Sequence, residues 1–375
     1  MTSLELAQRL VAFPSVSRSS NCEVTSCVEQ LLIERQFEVE RLDFVDDQGV
    51  PKSCVVGKKG SGTGGLAYFS HTDVVPADPW FSSEHGPFQP TIQGGRLYGR
   101  GSCDMKGSIA CMLAAATDVA PTQLKRPLYV VCTADEEIGF AGARLVAAKS
   151  RFYAEMVAGG AHGMIGEPTG LEVVHAHKGT CGFRAISHGK AAHSSTSHGL
   201  NANLAMIPFL AEMKAIHDEV THDPAWRDDR FDPPVISWNI GINDHTPAVN
   251  ITPPRSVCTV YCRPMPGQKA QLLVDRAAAA AARCGLEFIS YPIGQALFVD
   301  PQSPYVQTML RIAGKTASRT VSYGTDGVMF GAMKQMLVLG PGDIAQAHTW
   351  DEFITLEQLE RGTQLYRRVI QEFCE

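Results

Sequence analysis

Two short, continuous apolar segments constrain the fold of this chain more than any other feature of its sequence. They are GLAYFS at 65–70 and LYVVCTA at 128–134. Runs of this length that are apolar at successive positions are typical of strands buried on both faces of a parallel sheet. Segments with helical apolar spacing lie near 4–13, 22–36 and 106–119. This alternation of strands and helices predicts an α/β fold with a mostly parallel sheet flanked by helices.

The pattern changes near residue 178, where apolar alternation begins to indicate antiparallel strands. The strands predicted after this point are 179–188, 235–242 and 257–265, and the predicted helices are 201–217 and 269–284. Two helices on a small antiparallel sheet form an α+β domain. We therefore expect a catalytic domain made of 1–178 and 292–375, and an inserted lid and dimerisation domain at 179–291.

Length, charge and cysteine pattern exclude several classes of protein. A chain of 375 residues predicts two domains, and a net charge of -6 argues against a nucleic-acid binder. No apolar run approaches the ~20 residues that span a bilayer. The N-terminus MTSLELAQRLVAF resembles an amphipathic helix rather than a signal peptide. The eleven cysteines contain no C-x-x-C, so we predict reduced, buried thiols in a cytoplasmic protein.

A glycine-rich segment at 60–65, GSGTGG, matches the dinucleotide-binding pattern G-x-G-x-x-G. That fingerprint requires a strand before it and a helix after it. Here a predicted strand follows, so we interpret the segment as a loop between strands.

Polar side chains follow the predicted strands at their carboxyl ends, where open α/β sheets bind ligands. These residues are His71 and Asp73 after GLAYFS, Asp135, Glu136 and Glu137 after LYVVCTA, Glu167 after GMIG, His348 after MLVLGPGD, and Asp104 at the end of GRGSCD. Individually they are compatible with a solvated turn, a core histidine or a helix cap. Jointly they form a cluster of carboxylates whose repulsion a divalent cation would relieve. Imidazole and carboxylate ligands without thiolate suit zinc, with cobalt or manganese as substitutes.

Six motifs together resemble one family of zinc-dependent amidohydrolases. The motifs are SHTDVVP, GRGSCDMKGS, TADEEIG, IGEPT, HGKAAHSS and GPGDIAQAH. The family includes acetylornithine deacetylase, succinyl-diaminopimelate desuccinylase, aminoacylase and glutamate carboxypeptidase. The resemblance runs from end to end of the chain, in the family's motif order, and is greatest to the acetylornithine deacetylases. It implies hydrolysis of the amide bond of an N-acyl amino acid, N2-acetylornithine above all, within arginine synthesis.

The resemblance also implies a ligand set for two Zn²⁺ ions per chain. His71, Asp104 and Glu167 would bind one ion, and Glu137, Asp104 and His348 would bind the other, with Asp104 bridging. Asp73 would orient the imidazole that lies two residues before it. A cis peptide bond is expected after Asp104, although its next residue is Met105 and not proline.

The remaining roles come from the same resemblance. Glu136 would be the general base for a metal-activated water, and Asp135 would support its loop. Of the two histidines in HGKAAHSS, the motif selects His193 over His188 as the oxyanion donor, acting across a homodimer. The predicted substrate contacts are Asn250, Arg263 for the α-carboxylate, and Asp326 for the substrate's amine. The loop around Asp326 differs in sequence from the corresponding loop of the family, which leaves open which side chain the substrate carries.

Several alternatives stay open at this stage. The substrate could be succinyl-diaminopimelate, acetylcitrulline, another N-acyl amino acid or a dipeptide. A single-metal aminopeptidase is a further alternative, but the bridging position of Asp104 favours two ions. A catalytically silent binding protein on the same fold is also conceivable. The intact Glu136 and the complete ligand set argue against it, and metal content would discriminate the two.

Overall fold

A computed structural model describes residues 1–246 and 248–375, and contacts within the chain divide it into two units. Unit 1 comprises Met1–Ala176, Leu297–Arg319 and Thr325–Glu375, and unit 2 comprises His177–Ala296 and Thr320–Gly324. The α-helices are α1 (Ser3–Val11), α2 (Cys22–Glu34), α3 (Lys106–Ala115), α4 (Ala141–Lys149), α5 (Arg151–Gly159), α6 (Ala202–His222), α7 (Ala270–Arg283), α8 (Pro304–Ala313) and α9 (Leu356–Cys374). The strands are β1 (Glu38–Val45), β2 (Pro51–Lys59), β3 (Leu66–His71), β4 (Thr91–Gln93), β5 (Arg96–Tyr98), β6 (Leu128–Thr133), β7 (His162–Ile165), β8 (Val174–His177), β9 (Cys181–His188), β10 (Ser237–Asn243), β11 (Arg255–Arg263), β12 (Glu287–Ser290), β13 (Leu297–Phe298), β14 (Arg319–Val321), β15 (Met336–Val338) and β16 (Phe353–Thr355).

The two apolar segments of the sequence form the centre of the main sheet in unit 1. Strands β3 and β6 are buried at every position and pair in parallel, with His71 opposite Thr133. The sheet order is β1-β2-β6-β3-β7-β15-β8-β13, and β6, β3, β7 and β15 run parallel. Strands β2 and β8 join this parallel centre antiparallel. The predicted α/β fold is therefore confirmed, with antiparallel strands added at its edges.

Helix α3 is the most deeply buried helix of unit 1, because its small and apolar residues allow close packing on all sides. All ten of its residues are buried, and it packs against α1, α9 and β3. Full burial of one side chain such as Ile109 contributes roughly 1.5–3 kcal/mol. Gly107 is needed near its start, since a Cβ there would lie 2.3 Å from the carbonyl oxygen of Ser102. This close approach brings the turn that carries Asp104 against the first residues of α3.

None of the helices in the described part of the chain is both long and apolar enough to cross a membrane. The glycine-rich segment at 60–65 connects β2 to β3, as predicted. Helices α5 and α8 were not predicted, and α6 extends five residues beyond its predicted end at 217, to His222.

Unit 2 contains a four-stranded antiparallel sheet in the order β10-β11-β9-β12, with helices α6 and α7 packed against it. Cys181 on β9 and Cys262 on β11 lie directly opposite each other, with their Cα atoms 5.2 Å apart, and form a disulfide. The prediction that all cysteines are reduced is wrong for this pair. It failed because strand register, which the sequence does not state, brings together two residues that are 81 positions apart.

Candidate metal centre

Three neighbouring parallel strands of unit 1 end at one edge of the sheet and deliver the predicted ligands there. Strand β3 ends at His71, β6 ends two residues before Asp135, and β7 ends two residues before Glu167. His71 is 1% exposed. The convergence that the sequence predicted from strand polarity is therefore present in the structure.

The first group of candidate ligands surrounds the Nε2 atom of His71. This nitrogen lies 3.1 Å from Oδ1 of Asp104 and 3.4 Å from Oε1 of Glu167. All three side chains are buried, and they come from β3, from the turn before α3 and from the segment after β7.

The second group surrounds the Nε2 atom of His348. It lies 3.3 Å from Oδ2 of Asp104 and 3.1 Å from Oε1 of Glu137. Asp104 therefore directs one carboxylate oxygen toward each histidine. This is the geometry expected of a carboxylate that bridges two cations.

The spacing of these atoms fits a metal centre. In a tetrahedral site with ligand bonds near 2.1 Å, neighbouring ligand atoms lie about 3.4 Å apart. The distances of 3.1–3.4 Å around both histidines are close to that value. One ligand atom each from His71, Asp104 and Glu137 also falls within a single cluster, with all three atoms within 4.8 Å of one another.

The electrostatics of the cluster favour an added positive charge. Burial, and then the charge of Asp104, raise the pKa of Glu167 to about 8. Hydrogen bonds to Asp104 and Glu137 raise the pKa of His348 to about 10. Burial of His71 opposes its protonation, but its hydrogen bonds to Asp104 and Glu167 raise its pKa well above the usual value. The cluster thus retains protons on its histidines and on Glu167, whereas hydrogen bonds to those histidines lower the pKa of Asp104. A divalent cation can supply the same compensation as these protons.

The main chain and the side chain of Asp73 contact this centre at different places. The ring Nδ1 of His71 is 2.9 Å from the backbone oxygen of Asp73 but 3.7 Å from its carboxylate. The carboxylate instead accepts the backbone N–H groups of Glu136 at 3.2 Å and Glu137 at 3.4 Å, and the hydroxyl of Ser17 at 2.7 Å. Asp73 therefore orients the imidazole through its main chain and the acidic loop through its side chain.

The three consecutive acids after β6 occupy three different environments. Asp135 forms a buried ion pair with Lys52, and Glu137 is hydrogen bonded to His348. Glu136 forms no ion pair among the described residues, and burial, together with the charges of Glu137 and Glu167, raises its pKa well above the usual range. Of the three acids, Glu136 is thus the one whose carboxylate is not already paired with a cation or an imidazole in the described part of the chain.

Glu352 is a buried residue of this centre that the sequence analysis missed. Its Oε1 accepts the backbone N–H groups of Cys103 and Asp104, each at 2.9 Å. Its Oε2 accepts the backbone N–H of Gly101 at 3.0 Å and pairs with Arg100 at 2.6 Å. An acidic residue four positions after His348, directly before the apolar strand β16, was the available signal. The peptide bond from Asp104 to Met105 is cis, as predicted.

Asp326 lies in the interior of unit 1. It is 2% exposed, its Oδ2 accepts the hydroxyl of Thr133, and burial raises its pKa to about 7. Its Oδ1 has no hydrogen-bond partner among the described residues, and its contact with a substrate amine stays a prediction.

The other predicted site residues belong to unit 2. His193 and Asn250 are exposed neighbours, since the residue after His193 donates its backbone N–H to the Asn250 carbonyl at 2.9 Å. Arg263 is half-buried at the end of β11, and its Nη1 is buried with no hydrogen-bond partner among residues 1–246 and 248–375. A Cβ on Gly324 would lie 2.6 Å from that atom. His188, the histidine not selected, pairs with Glu287 at 2.8 Å on the surface.

Comparison with known proteins identifies the family of this chain. The sequence profile of peptidase family M20/M25/M40 matches residues 67–372. The chain belongs to this family. M20 family members with similar sequences include an acetylornithine deacetylase of Myxococcus xanthus, 33% identical over 97% of this chain and 96% of the relative. Another is the acetylornithine deacetylase of Proteus mirabilis, 34% identical over 100% of this chain and 97% of the relative.

Solved M20 structures share the fold. The M20 family metallo-carboxypeptidase Sso-CP2 of Sulfolobus solfataricus superposes with a TM-score of 0.77, covering 99% of each chain at 16% identity. Family membership, together with the clustered ligands, identifies the chain as a metal-dependent hydrolase.

Proposed function

We propose that this M20 hydrolase cleaves the amide bond of N2-acetylornithine to give ornithine and acetate. The observation that carries the proposal is the pair of histidines bridged by Asp104, with Glu136 unpaired beside them. The similarity to two acetylornithine deacetylases over nearly their full lengths supports the choice of substrate. With this substrate the enzyme would belong to arginine synthesis in the cytoplasm.

The ligand residues divide between two zinc ions. His71, Asp104 and Glu167 would bind one ion, and Glu137, Asp104 and His348 would bind the other. Histidine and carboxylate donors without thiolate suit zinc, and cobalt or manganese can substitute for it. When bound, the ions would polarise the amide carbonyl and lower the pKa of a water molecule toward about 7.

Glu136 transfers the protons of the reaction. Its carboxylate accepts a proton from the attacking water and donates that proton to the nitrogen of the leaving amine. Asp73 keeps the loop in place through its contacts with the backbone N–H groups of Glu136 and Glu137.

Unit 2 supplies the substrate contacts. Arg263 binds the α-carboxylate of the substrate through its planar guanidinium, whose buried Nη1 has no partner within the described residues. His193 donates a hydrogen bond to the developing oxyanion, and Asn250 beside it contacts the substrate.

The enzyme acts as a homodimer, and His193 reaches the active site of the partner subunit. The exposed apolar surface of unit 2 supports this assembly. Leu204 and Ile207 on α6 are 67% and 59% exposed, and Ile242 on the edge strand β10 is 62% exposed. An unpaired edge strand beside exposed apolar side chains is typical of a protein interface.

Hydrolysis of a substrate panel by the zinc-loaded enzyme tests the proposal. The panel contains N2-acetylornithine, succinyl-diaminopimelate, acetylcitrulline, other N-acyl amino acids and dipeptides, and the chelator-treated protein is the control. We expect the highest kcat/KM for N2-acetylornithine. A higher kcat/KM for another compound of the panel would contradict the substrate assignment but not the proposed amide hydrolysis. Silence across the panel with two zinc ions bound would contradict the proposed function.

A further inference from the structure

Lys52 is a buried cation beside the metal centre that the proposed mechanism does not use. It lies near the start of β2 and is 1% exposed. Its ammonium group forms an ion pair with Oδ1 of Asp135 at 2.6 Å and a longer one with Oδ2 of Asp46 at 3.8 Å. It also donates to the backbone oxygens of Ser19, at 2.9 Å, and Ser17. An ammonium has three N–H donors, and here three acceptors match them. Lys52 therefore has no donor left for a substrate.

The contacts of Lys52 close a ring around the acidic loop. Ser17 accepts from Lys52 with its carbonyl oxygen and donates to the Asp73 carboxylate with its hydroxyl, at 2.7 Å. That carboxylate accepts the backbone N–H groups of Glu136 and Glu137. Asp135, the residue before Glu136, completes the ring of contacts through its ion pair with Lys52.

The loop needs such support because of its backbone conformation. Asp135 has a φ of +59°, in the left-handed region that residues other than glycine rarely adopt. Its carbonyl oxygen accepts the backbone N–H of Phe140 at 2.7 Å, so the turn reverses immediately after the acids. Asp135 starts this turn, and its ion pair with Lys52 fixes the point from which the side chains of Glu136 and Glu137 extend.

We propose that Lys52 is a positioning residue, which acts through Asp135 to direct Glu137 toward its metal ion and Glu136 toward the reacting water. This inference rests on the proposed function for the role of Glu136.

Lys59 provides a matched control on the same strand. It is 2% exposed, and its ammonium donates to the backbone oxygen of Ala116 at 2.9 Å. It makes no contact with the acidic loop among the described residues. Lys52→Met and Lys59→Met therefore remove equally buried charges from the two ends of β2. Only Lys52→Met removes a contact of the ring around the acidic loop.

The experiment measures Zn²⁺ affinity of the chelator-treated full-length protein, and kcat and KM after reloading. We expect Lys52→Met to weaken binding of one of the two ions, and to lower kcat, by about 10- to 100-fold each, with KM unchanged. Lys59→Met should bind both ions and turn over like the wild type at temperatures where it is folded. Equal behaviour of the two variants would overturn the proposal.

A double variant separates positioning from folding. Lys52→Met alone leaves Asp135 buried without its cation, which can destabilise the fold. Lys52→Met/Asp135→Asn removes both charges of the closer ion pair and leaves only the more distant Asp46 without this cation. We therefore expect most of the stability to return while zinc affinity and kcat stay low. Recovery of zinc affinity and kcat together with stability would overturn the proposal. If the wild type hydrolyses nothing in the substrate panel, the proposed function fails, and the zinc affinities still decide the role of Lys52.

Discussion

The Glu352 carboxylate accepts the backbone N–H of Asp104 at 2.9 Å. Asp104, whose side chain lies between the two histidines, is therefore fixed through its backbone by a buried acid. The same carboxylate binds three further donors in the turn 100–103. Because hydrogen bonds to a charged group are shorter and stronger than neutral ones, Glu352 determines where this turn presents Asp104. The position of Asp104 in the metal centre thus depends on Glu352, which contacts the backbone of this ligand and not its side chain.

Substitution Glu352→Gln should weaken metal binding. The glutamine side chain has the shape of glutamate but lacks its charge and one of its acceptor oxygens. The backbone N–H groups of the turn at Asp104 and the guanidinium of Arg100 therefore form fewer or weaker hydrogen bonds. We expect a loss of roughly 10- to 100-fold in zinc affinity, measured by titration of the chelator-treated protein. Glu357→Gln is the control, because Glu357 is an exposed residue at the start of α9 whose one ion pair among the described residues is with Arg361. Equal affinities for both variants would contradict this role.

Unit 2 should lose stability in mild acid because of His177. This residue is fully buried, its Nδ1–H donates to the Lys178 carbonyl at 2.9 Å, and burial, with Arg263 nearby, lowers its pKa to about 4. Since the unfolded value is near 6.5, the unfolded chain binds more protons between these limits, and stability falls as the pH falls from 6.5 toward 4.

This predicts about 2 kcal/mol less stability at pH 5 than at pH 7 from this one residue. Urea unfolding at both pH values measures it, and His177→Gln should show a correspondingly smaller difference than the wild type. His222→Gln on the exposed end of α6 should behave like the wild type. An unchanged pH dependence in His177→Gln would contradict the prediction.

Substitution Arg263→Lys should raise KM for the N-acyl amino acid by about tenfold or more, because an ammonium cannot form two parallel hydrogen bonds with a carboxylate. The charge is kept, so kcat should change less than KM. Arg255→Lys, at the exposed first position of the same strand, is the matched control. Steady-state kinetics decide the outcome, and a KM equal to that of the control would remove Arg263 from the substrate site.

Mixing two inactive variants tests the proposed dimer. His193→Ala and Glu136→Ala chains, allowed to exchange, should recover about a quarter of the wild-type rate, because half of the dimers are mixed and each has one intact site. Native mass spectrometry establishes whether exchange has occurred. Absence of activity with exchange demonstrated would indicate that each site is built within one chain.

Much of the metal centre could be predicted from the sequence, because parallel strands that end at one edge bring their following residues together. The acids after LYVVCTA, the histidine after GLAYFS and Glu167 after β7 all follow this rule. Strand identity and polarity require only local apolar patterns, and those patterns are strong here.

The remainder depends on tertiary contacts that have no local pattern. Glu352 and Lys52 are single charged residues, and only the folded chain surrounds them with donors or acceptors. The pairing of Cys181 with Cys262 depends on the register of two strands. The use of the Asp73 backbone rather than its side chain for His71 depends on differences below one ångström between contacts.

The contrast between Glu136→Ala and Glu137→Ala tests the central claim most directly. Bound zinc per chain and turnover of N2-acetylornithine should be measured on both variants and on the wild type. We predict that Glu136→Ala keeps two zinc ions and loses nearly all turnover, because it removes only the proton carrier. Glu137→Ala should lose zinc from one site. Full turnover in both variants, or zinc loss in Glu136→Ala with full occupancy in Glu137→Ala, would contradict the roles assigned to these two residues.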